Sequence, residues 1–335
     1  MLSKLFESIY SKIFVAIVIE RSKSVVYIQV SSKKHTPKNY HKSFETTEFS
    51  TKMKEYIDSF TGESPFSYIC VLDYSEDQGA IPTCSTKDMS VFGDFSASKM
   101  MCHENEWAYF TSATGIETIK KTYAEVGIDF IFSSFSVLSS FFKDKIDTHL
   151  GLFVLLEDNY ITLGVFDKTK LLFGEHLNVE HDNDQDDMMM DSTDSEIDLD
   201  LDSSIDLDDI DSMSDIDGLD DFGDIEDLDA IDEIDEFSQS QDDEILDEEE
   251  DFLVQDPSGF NEDYQRFIAI QSSVNRFYKD SKYQSKFIET VYIADAIGVS
   301  PDLKTYLEEE MFFSVFVRHI DLGGEIIDLA KAELK

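Results

Sequence analysis

The chain has 335 residues and a formal net charge of −45 at pH 7, because 72 acidic residues oppose 27 basic ones. This length suits one large domain or two ordinary ones. The charge argues against direct binding to nucleic acid or to an anionic membrane face, since the field of the protein repels polyanions.

The N-terminal residues 1–13 predict a short amphipathic helix. Apolar side chains recur there at helical spacing: Leu2, Leu5, Phe6, Ile9 and Ile13. Such a helix either packs on its own domain or binds a membrane surface or a partner. No window of the sequence approaches the ~20 apolar residues that a membrane helix needs, so we expect no direct membrane span.

The next part of the chain mixes strands and helices. Two β-rich runs flanking the polar residues 21–24 predict a hairpin. The predicted elements up to residue 145 are strands at 13–20, 25–30, 41–48, 68–72, 107–111 and 128–132, and helices at 51–60, 116–126 and 136–145. Residues 75–105 carry little pattern, and their glycines and proline favour loops or a small excursion of the chain.

A second group of strands then follows, with short polar turns that are typical of an antiparallel meander. The predicted elements of this part are strands at 152–156, 160–166, 170–176, 288–293 and 313–317, and helices at 264–283, 301–311 and the C-terminus. Strand meanders followed by alternating helices and strands indicate an α/β fold.

Three cysteines, Cys70, Cys84 and Cys102, form no CxxC pair and leave an odd number. This pattern favours free thiols in a reducing compartment over a disulfide framework, and we expect a cytoplasmic protein. No GxSxG, HExxH or Walker-type string occurs, so the sequence contains no motif of a hydrolase or of a metal site.

The order of elements, with Ala16–Lys23 in the first hairpin, Leu155–Asn159 in the meander and Tyr292–Gly298 near the late strand, resembles the two-lobed actin-like (RNase H-like) ATPase fold. More narrowly it is similar to PilM-type pilus assembly proteins and the cytoplasmic GspL domain of type II secretion. The resemblance implies a first lobe over 14–150 and a second lobe over 151–178 and 258–335.

Active members of that superfamily hold nucleotide at glycine-containing turns, where backbone amides approach phosphate and a carboxylate holds Mg²⁺. The resemblance places Val18 at a metal-side Asp position, and other side chains at or near the phosphate turns. These degenerate turn residues are Glu20, Glu157, Asp158, Asp295 and Gly298. Carboxylates near phosphate repel it, so we expect no cofactor and no metal, and therefore a pseudo-ATPase.

The resemblance then implies a cytoplasmic, non-catalytic scaffold of a type IV pilus, type II secretion or DNA-uptake (competence) apparatus. Its partner would be the tail of an inner-membrane PilN- or GspM-like protein that recruits it to the membrane, with an assembly ATPase as a further candidate. The alternatives are a diverged but active actin-like ATPase and a free-standing acidic adaptor whose acidic insertion is the functional part. Exposed aromatic residues anchor partners well, and the candidates in the first lobe are Trp107, Phe110, Phe130, Phe132 and Phe135. The alternative for most of these side chains is packing in the core.

An acidic segment, assigned to residues 179–257, interrupts the second lobe. Residues 182–256 contain 35 Asp or Glu and no Lys or Arg. Apolar residues recur there at every third position, which fits neither helix nor strand. The segment is interpreted as a disordered, self-repelling insertion, as a partner-binding segment anchored by Ile216, Leu219, Phe222 and Ile225, or as a calcium site near 215–224.

Overall fold

The computed structural model describes residues 10–32, 35–179, 257–299 and 301–334. The predicted N-terminal helix up to residue 9, the acidic segment and its four proposed anchors (Ile216, Leu219, Phe222 and Ile225) lie outside these ranges. Two β-sheets and eight helices are described, and they fall in the same compact unit of the chain.

The first sheet has five strands in the order β3-β2-β1-β4-β8. Its strands are β1 (Lys12–Ile19), β2 (Ser24–Ser32), β3 (His35–Phe44), β4 (Ser67–Leu72) and β8 (Phe130–Phe132). Strands β1, β2 and β3 form an antiparallel meander, whereas β4 and β8 run parallel to β1 and to each other. Strand β1 is buried on both faces, which explains its continuous apolar sequence.

The second sheet repeats this plan. Its strands include β9 (Leu150–Leu156), β10 (Tyr160–Asp167), β11 (Lys170–Asn178), β12 (Thr290–Asp295) and β13 (Ser314–His319). Strands β9, β10 and β11 form an antiparallel meander, β12 runs parallel to β9, and β13 runs parallel to β12. The order β13-β12-β9-β10-β11 therefore matches that of the first sheet. Two copies of this strand plan make the fold actin-like, as the sequence predicts.

Three further strands extend the second sheet beyond β11. They are β5 (Gln78–Ile81), β6 (Ser98–His103) and β7 (Trp107–Ser112), and the sheet ends in the order β11-β5-β7-β6. The prediction of loops over 75–105 is wrong here, because a four-residue strand and a mostly exposed strand leave no hydrophobic pattern. These residues were assigned to the first lobe by the sequence, yet they are hydrogen-bonded into the sheet of the second.

The helices cover the faces of the two sheets. They are α1 (Thr51–Thr61), α2 (Thr86–Met89), α3 (Ala113–Thr122), α4 (Ser134–Phe141), α5 (Lys143–Ile146), α6 (Pro257–Lys279), α7 (Pro301–Glu309) and α8 (Leu322–Glu333). Helices α1 and α3 cover one face of the first sheet, and α6 and α7 cover one face of the second. Helices α4 and α8 share a core with the other face of each sheet. Among the described residues, no helix combines the length and the hydropathy needed to cross a bilayer.

Cys84 and Cys102 form a disulfide bond, with their Cα atoms 5.6 Å apart. The expectation of three free thiols is therefore wrong for this pair. The antiparallel pairing of β5 and β6 with β7 brings the two residues together across 18 positions of sequence, without any local motif. Cys70 is a free thiol in the core of the first sheet.

Candidate functional site

Three turns meet between the two sheets around a cavity of about 320 Å³, which we call the cleft. The β1–β2 turn contributes Glu20 and Lys23, the β9–β10 turn contributes Glu157 and Asp158, and the end of β12 contributes Ala296 and neighbouring residues. The strand plan puts these turns at corresponding ends of the two sheets, which is where an actin-like fold binds phosphate. The turns that the sequence resemblance named thus lie around one cavity.

Arg21 joins two of the three turns. Its backbone N–H donates to Asp158 Oδ2 at 2.8 Å, and its Nε donates to Asn159 Oδ1 at 3.2 Å. Its guanidinium also pairs with Glu262 of α6 at 2.9 Å. The turn of the first sheet is thus bonded directly to a turn and a helix of the second, across the cleft. The sequence did not single out this arginine.

Asp295 satisfies the backbone amides of its own turn. Its carboxylate accepts hydrogen bonds from the N–H groups of Ile297, Gly298 and Val299 at 2.8–3.1 Å. Gly298 has φ +74°, a left-handed conformation that glycine adopts without strain. Such a set of converging amides forms an anion-binding nest, and here an internal carboxylate already fills it.

Glu157 is buried at the edge of the cleft. Burial is the largest cause that raises the pKa of its carboxyl to about 7; the nearby Ser134 hydroxyl opposes this shift, and the Asp73 carboxylate adds to it. By distance and angle, Glu157 Oε1, Asp73 Oδ2 and Ser134 Oγ make no hydrogen bond, and all three atoms are buried. Asp73 uses its other oxygen, Oδ1, to accept from the backbone N–H of Ser75. Two neighbouring carboxyl groups therefore lie inside the protein, where a negative charge costs most.

These residues do not fit a nucleoside triphosphate with its metal ion. Val18, at the metal-side position, is apolar and 3 % exposed. The amides of the late turn are satisfied by Asp295, and carboxylates line the cavity where phosphates would lie. Lys23 is a cation of the cleft, but it pairs with Glu20 at 2.9 Å. Of the predicted degenerate positions, Val18, Glu20, Glu157 and Asp158 line the cleft together, and Asp295 and Gly298 flank it.

A larger cavity of about 550 Å³ lies along β8, and we call it the acidic groove. Strand β8 forms one side and is hydrogen-bonded in its sheet only to β4, so within the described residues its other edge has no strand partner. Helices α4, α5 and α8, strand β10 and the β6–β7 hairpin form the remaining walls. Its apolar lining includes Trp107, Phe130, Phe132, Ile146, Phe166 and Leu329.

The rim of the acidic groove is negatively charged. Its lining contains the carboxylates of Glu104, Glu106, Asp129, Asp147 and Glu333, with Lys143 as the lysine among the lining residues. Burial is the main cause that lowers the pKa of His103, which favours the neutral imidazole. The groove therefore combines an apolar floor with a net negative rim.

The structure separates the aromatic residues predicted to bind a partner. Trp107, Phe130 and Phe132 line the acidic groove, whereas Phe110 packs on Phe95, with ring centroids 4.7 Å apart, beside another cavity. Phe135 is 1 % exposed in the core. Trp107, Phe132 and Phe135 are buried in the core that the two sheets share, which is the core-packing alternative of the sequence analysis. The acidic rim was not predicted, since its residues are far apart in sequence.

Two family models match the chain. The model described as Domain of unknown function (DUF8341) matches residues 152–335, more than half of the chain. The chain belongs to this family. A second model, Domain of unknown function (DUF8569), matches residues 10–139. The boundary between the two matched ranges falls just before β9, where the second copy of the strand plan begins. No curated protein matches the chain.

Several solved structures are similar to the chain at low sequence identity. A PilM-PilN type IV pilus biogenesis complex matches with 10% identity and a TM-score of 0.46, covering 94% of each chain. A protein with actin-like ATPase fold and unknown function from Bacteroides thetaiotaomicron matches with 9% identity and a TM-score of 0.44, covering 92% of this chain and 91% of the other. An exopolyphosphatase from Cytophaga hutchinsonii matches with 9% identity and a TM-score of 0.27, covering 53% and 58%. The chain is thus similar to a PilM-PilN complex in fold alone.

Proposed function

We propose that the chain is a non-catalytic actin-like scaffold that binds protein partners instead of nucleotide. The observation that carries this proposal is the hydrogen bonding of Asp295, whose carboxylate occupies the amides that would otherwise face a phosphate group. The bridge from Arg21 to the β9–β10 turn supports it, because opening the cleft for a nucleotide would break these bonds.

The acidic groove is the proposed partner site. An apolar floor supplies anchoring pockets, and an acidic rim selects a cationic partner. The outer edge of β8, which has no partner among the strands that the structure describes, lies along the groove, so an extended peptide can add to the first sheet as a further strand. The occupant we propose is therefore a short cationic segment with aliphatic or aromatic side chains.

The sequence resemblance suggests where such a segment comes from. The proposed partner is the cytoplasmic tail of an inner-membrane PilN- or GspM-like protein, in a pilus, secretion or DNA-uptake apparatus. On this proposal the chain works in the cytoplasm and reaches the membrane through that tail.

The test is a titration of the full chain into labelled synthetic peptides. The peptides match the cytoplasmic tails of single-span membrane proteins encoded beside this chain, and fluorescence anisotropy reports binding. Glu106→Lys reverses a charge at the groove rim and should weaken binding about tenfold. Glu309→Lys makes the same charge change at the exposed end of α7 and should leave binding unchanged. Failure of every tail to bind, or an equal loss in both variants, would contradict the proposal.

A further inference from the structure

The Cys84–Cys102 disulfide lies beside the acidic groove. Cys102 is on β6 between Met101 and His103, which both line the groove. Cys84 Sγ lies 3.2 Å from the carbonyl oxygen of Trp107, whose side chain is part of the groove floor. The disulfide bond therefore links β6, which is part of a groove wall, to the segment that contacts the backbone of Trp107 in the groove floor.

Strand β6 is held at the edge of the second sheet. Among the described strands it pairs only with β7, and the turn of that hairpin contains Glu104 and Asn105 in the left-handed region. The disulfide ties this edge strand to the segment that follows β5. Without the bond, the strand pairing with β7 and scattered side-chain contacts would hold β6. Such an edge strand opens more readily than a central one.

In the reduced form, the Cys84 thiol has a hydrogen-bond acceptor close to it. In that state the Cys84 S–H could donate to the Trp107 carbonyl oxygen that already lies at hydrogen-bond distance. Cys102 is exposed, whereas Cys84 is half-buried and Cys70 is fully buried. Burial raises the pKa of the Cys70 thiol to about 12, which keeps that residue unreactive.

We propose that Cys84 and Cys102 form a thiol–disulfide switch that controls how firmly the β6–β7 hairpin walls the acidic groove. The oxidant is a low-molecular-weight disulfide of the glutathione class. The Cys102 thiolate attacks one of its sulfur atoms, which forms a mixed disulfide and releases one small thiol. Cys84 then attacks Cys102 Sγ, which releases the second small thiol and closes the protein disulfide. Two electrons pass to the oxidant, and each protein thiol loses one proton.

The consequence of the switch for partner binding rests on the proposed function, but its physical basis does not. The oxidised chain presents a fixed groove wall, and the reduced chain presents a loosened one. We therefore expect the oxidised form to bind a groove peptide more tightly.

The test uses the full chain, equilibrated in buffers of defined reduced-to-oxidised glutathione ratio. Alkylation followed by mass spectrometry should show Cys84 and Cys102 becoming protected together, while Cys70 is unlabelled in every folded sample. Amide hydrogen exchange of residues 98–103 should be about tenfold faster in the reduced form. The chain has a single tryptophan, so quenching by acrylamide reports on Trp107 alone and should increase by about twofold on reduction.

Two variants serve as controls. Cys102→Ser should show the exchange and quenching of the reduced form in every buffer, and Cys70→Ala should switch like the unmodified chain. The proposal is overturned if both thiols stay alkylable in oxidising buffer, or if exchange and quenching do not differ between the two forms. These readouts need no partner, so failure of the tail peptides to bind would count against the proposed function and leave the switch standing.

Discussion

At the scale of single residues, Glu157 of the cleft is placed where its carboxylate costs stability. Glu157 is 8 % exposed and has an unpartnered oxygen. A residue that only completed a solvated turn would not be buried in this way. Its burial beside Asp73 indicates that the turn is fitted into the protein body and is not a remnant exposed to water.

The Glu157→Gln variant should be more stable than the unmodified chain at pH 8, and about equally stable at pH 4. The folded-state pKa of about 7 exceeds the ordinary value of 4.5, so the folded state binds more protons between these values. The penalty on the folded state therefore grows as the pH rises from 4.5 to 7, is complete above pH 7 and is absent below pH 4.5. A difference of 2.5 units corresponds to at most about 3 kcal/mol.

Urea denaturation at the two pH values measures this effect. Glu309→Gln, at an exposed position, is the control and should show no pH-dependent gain. A Glu157→Gln variant that is less stable than the unmodified chain at pH 8 would show that the Glu157 carboxylate has a stabilising partner.

At the scale of elements, helix α8 shows how closely the C-terminus packs on the first sheet. A Cβ atom at Gly323 would lie 2.1 Å from Cγ of Tyr27 on β2. Only a residue without a side chain lets the helix approach the sheet this closely. The close approach brings α8 into the core that also includes α4 and faces both sheets.

Gly323→Ala should therefore lower the free energy of unfolding by about 1–3 kcal/mol, because the added methyl group overpacks the contact with Tyr27. Helix propensity alone predicts the opposite sign, since alanine favours helices over glycine by about 1 kcal/mol. Chemical denaturation measures the difference. In a Tyr27→Ala background the same substitution should cost less than about 1 kcal/mol. An equal cost in both backgrounds would mean that the clash with Tyr27 is not the cause.

The elements that the sequence predicts well are those with buried faces. Strand β1 alternates between two cores, with Val15 and Ile17 on one side and Phe14 and Ala16 on the other. Strand β3 was predicted at 41–48 but spans His35–Phe44, because it is exposed along nearly its whole length and carries no hydrophobic period. Strand β5 was missed because four residues are too few to show alternation.

At the scale of the whole molecule, the sequence indicated the turns that line the cleft but not the contacts that cross it. The degenerate turns could be predicted from the sequence, because expected glycines are missing and Glu20, Glu157 and Asp295 stand at these turns. The hydrogen bonds of Arg21 and the burial of Glu157 beside Asp73 could not be predicted, because they depend on the distance between two sheets. The acidic groove could not be predicted from the sequence either, because its rim consists of residues from separate elements.

The two cavities fit one interpretation of the fold. The cleft is lined with carboxylates and crossed by hydrogen bonds, and the acidic groove has an apolar floor beside a strand edge that has no partner strand within the described residues. Under the proposed function, the cleft binds no nucleotide and the groove binds a peptide. This interpretation depends on the cleft being unable to accept nucleotide.

The most direct test of that claim is isothermal titration calorimetry of the full chain with ATP and Mg²⁺. We predict no saturable heat up to about 1 mM ATP, which corresponds to a binding free energy weaker than about −4 kcal/mol. A dissociation constant in the micromolar range would contradict the account, because ATP would then bind despite Asp295, Glu157 and the Arg21 bridge.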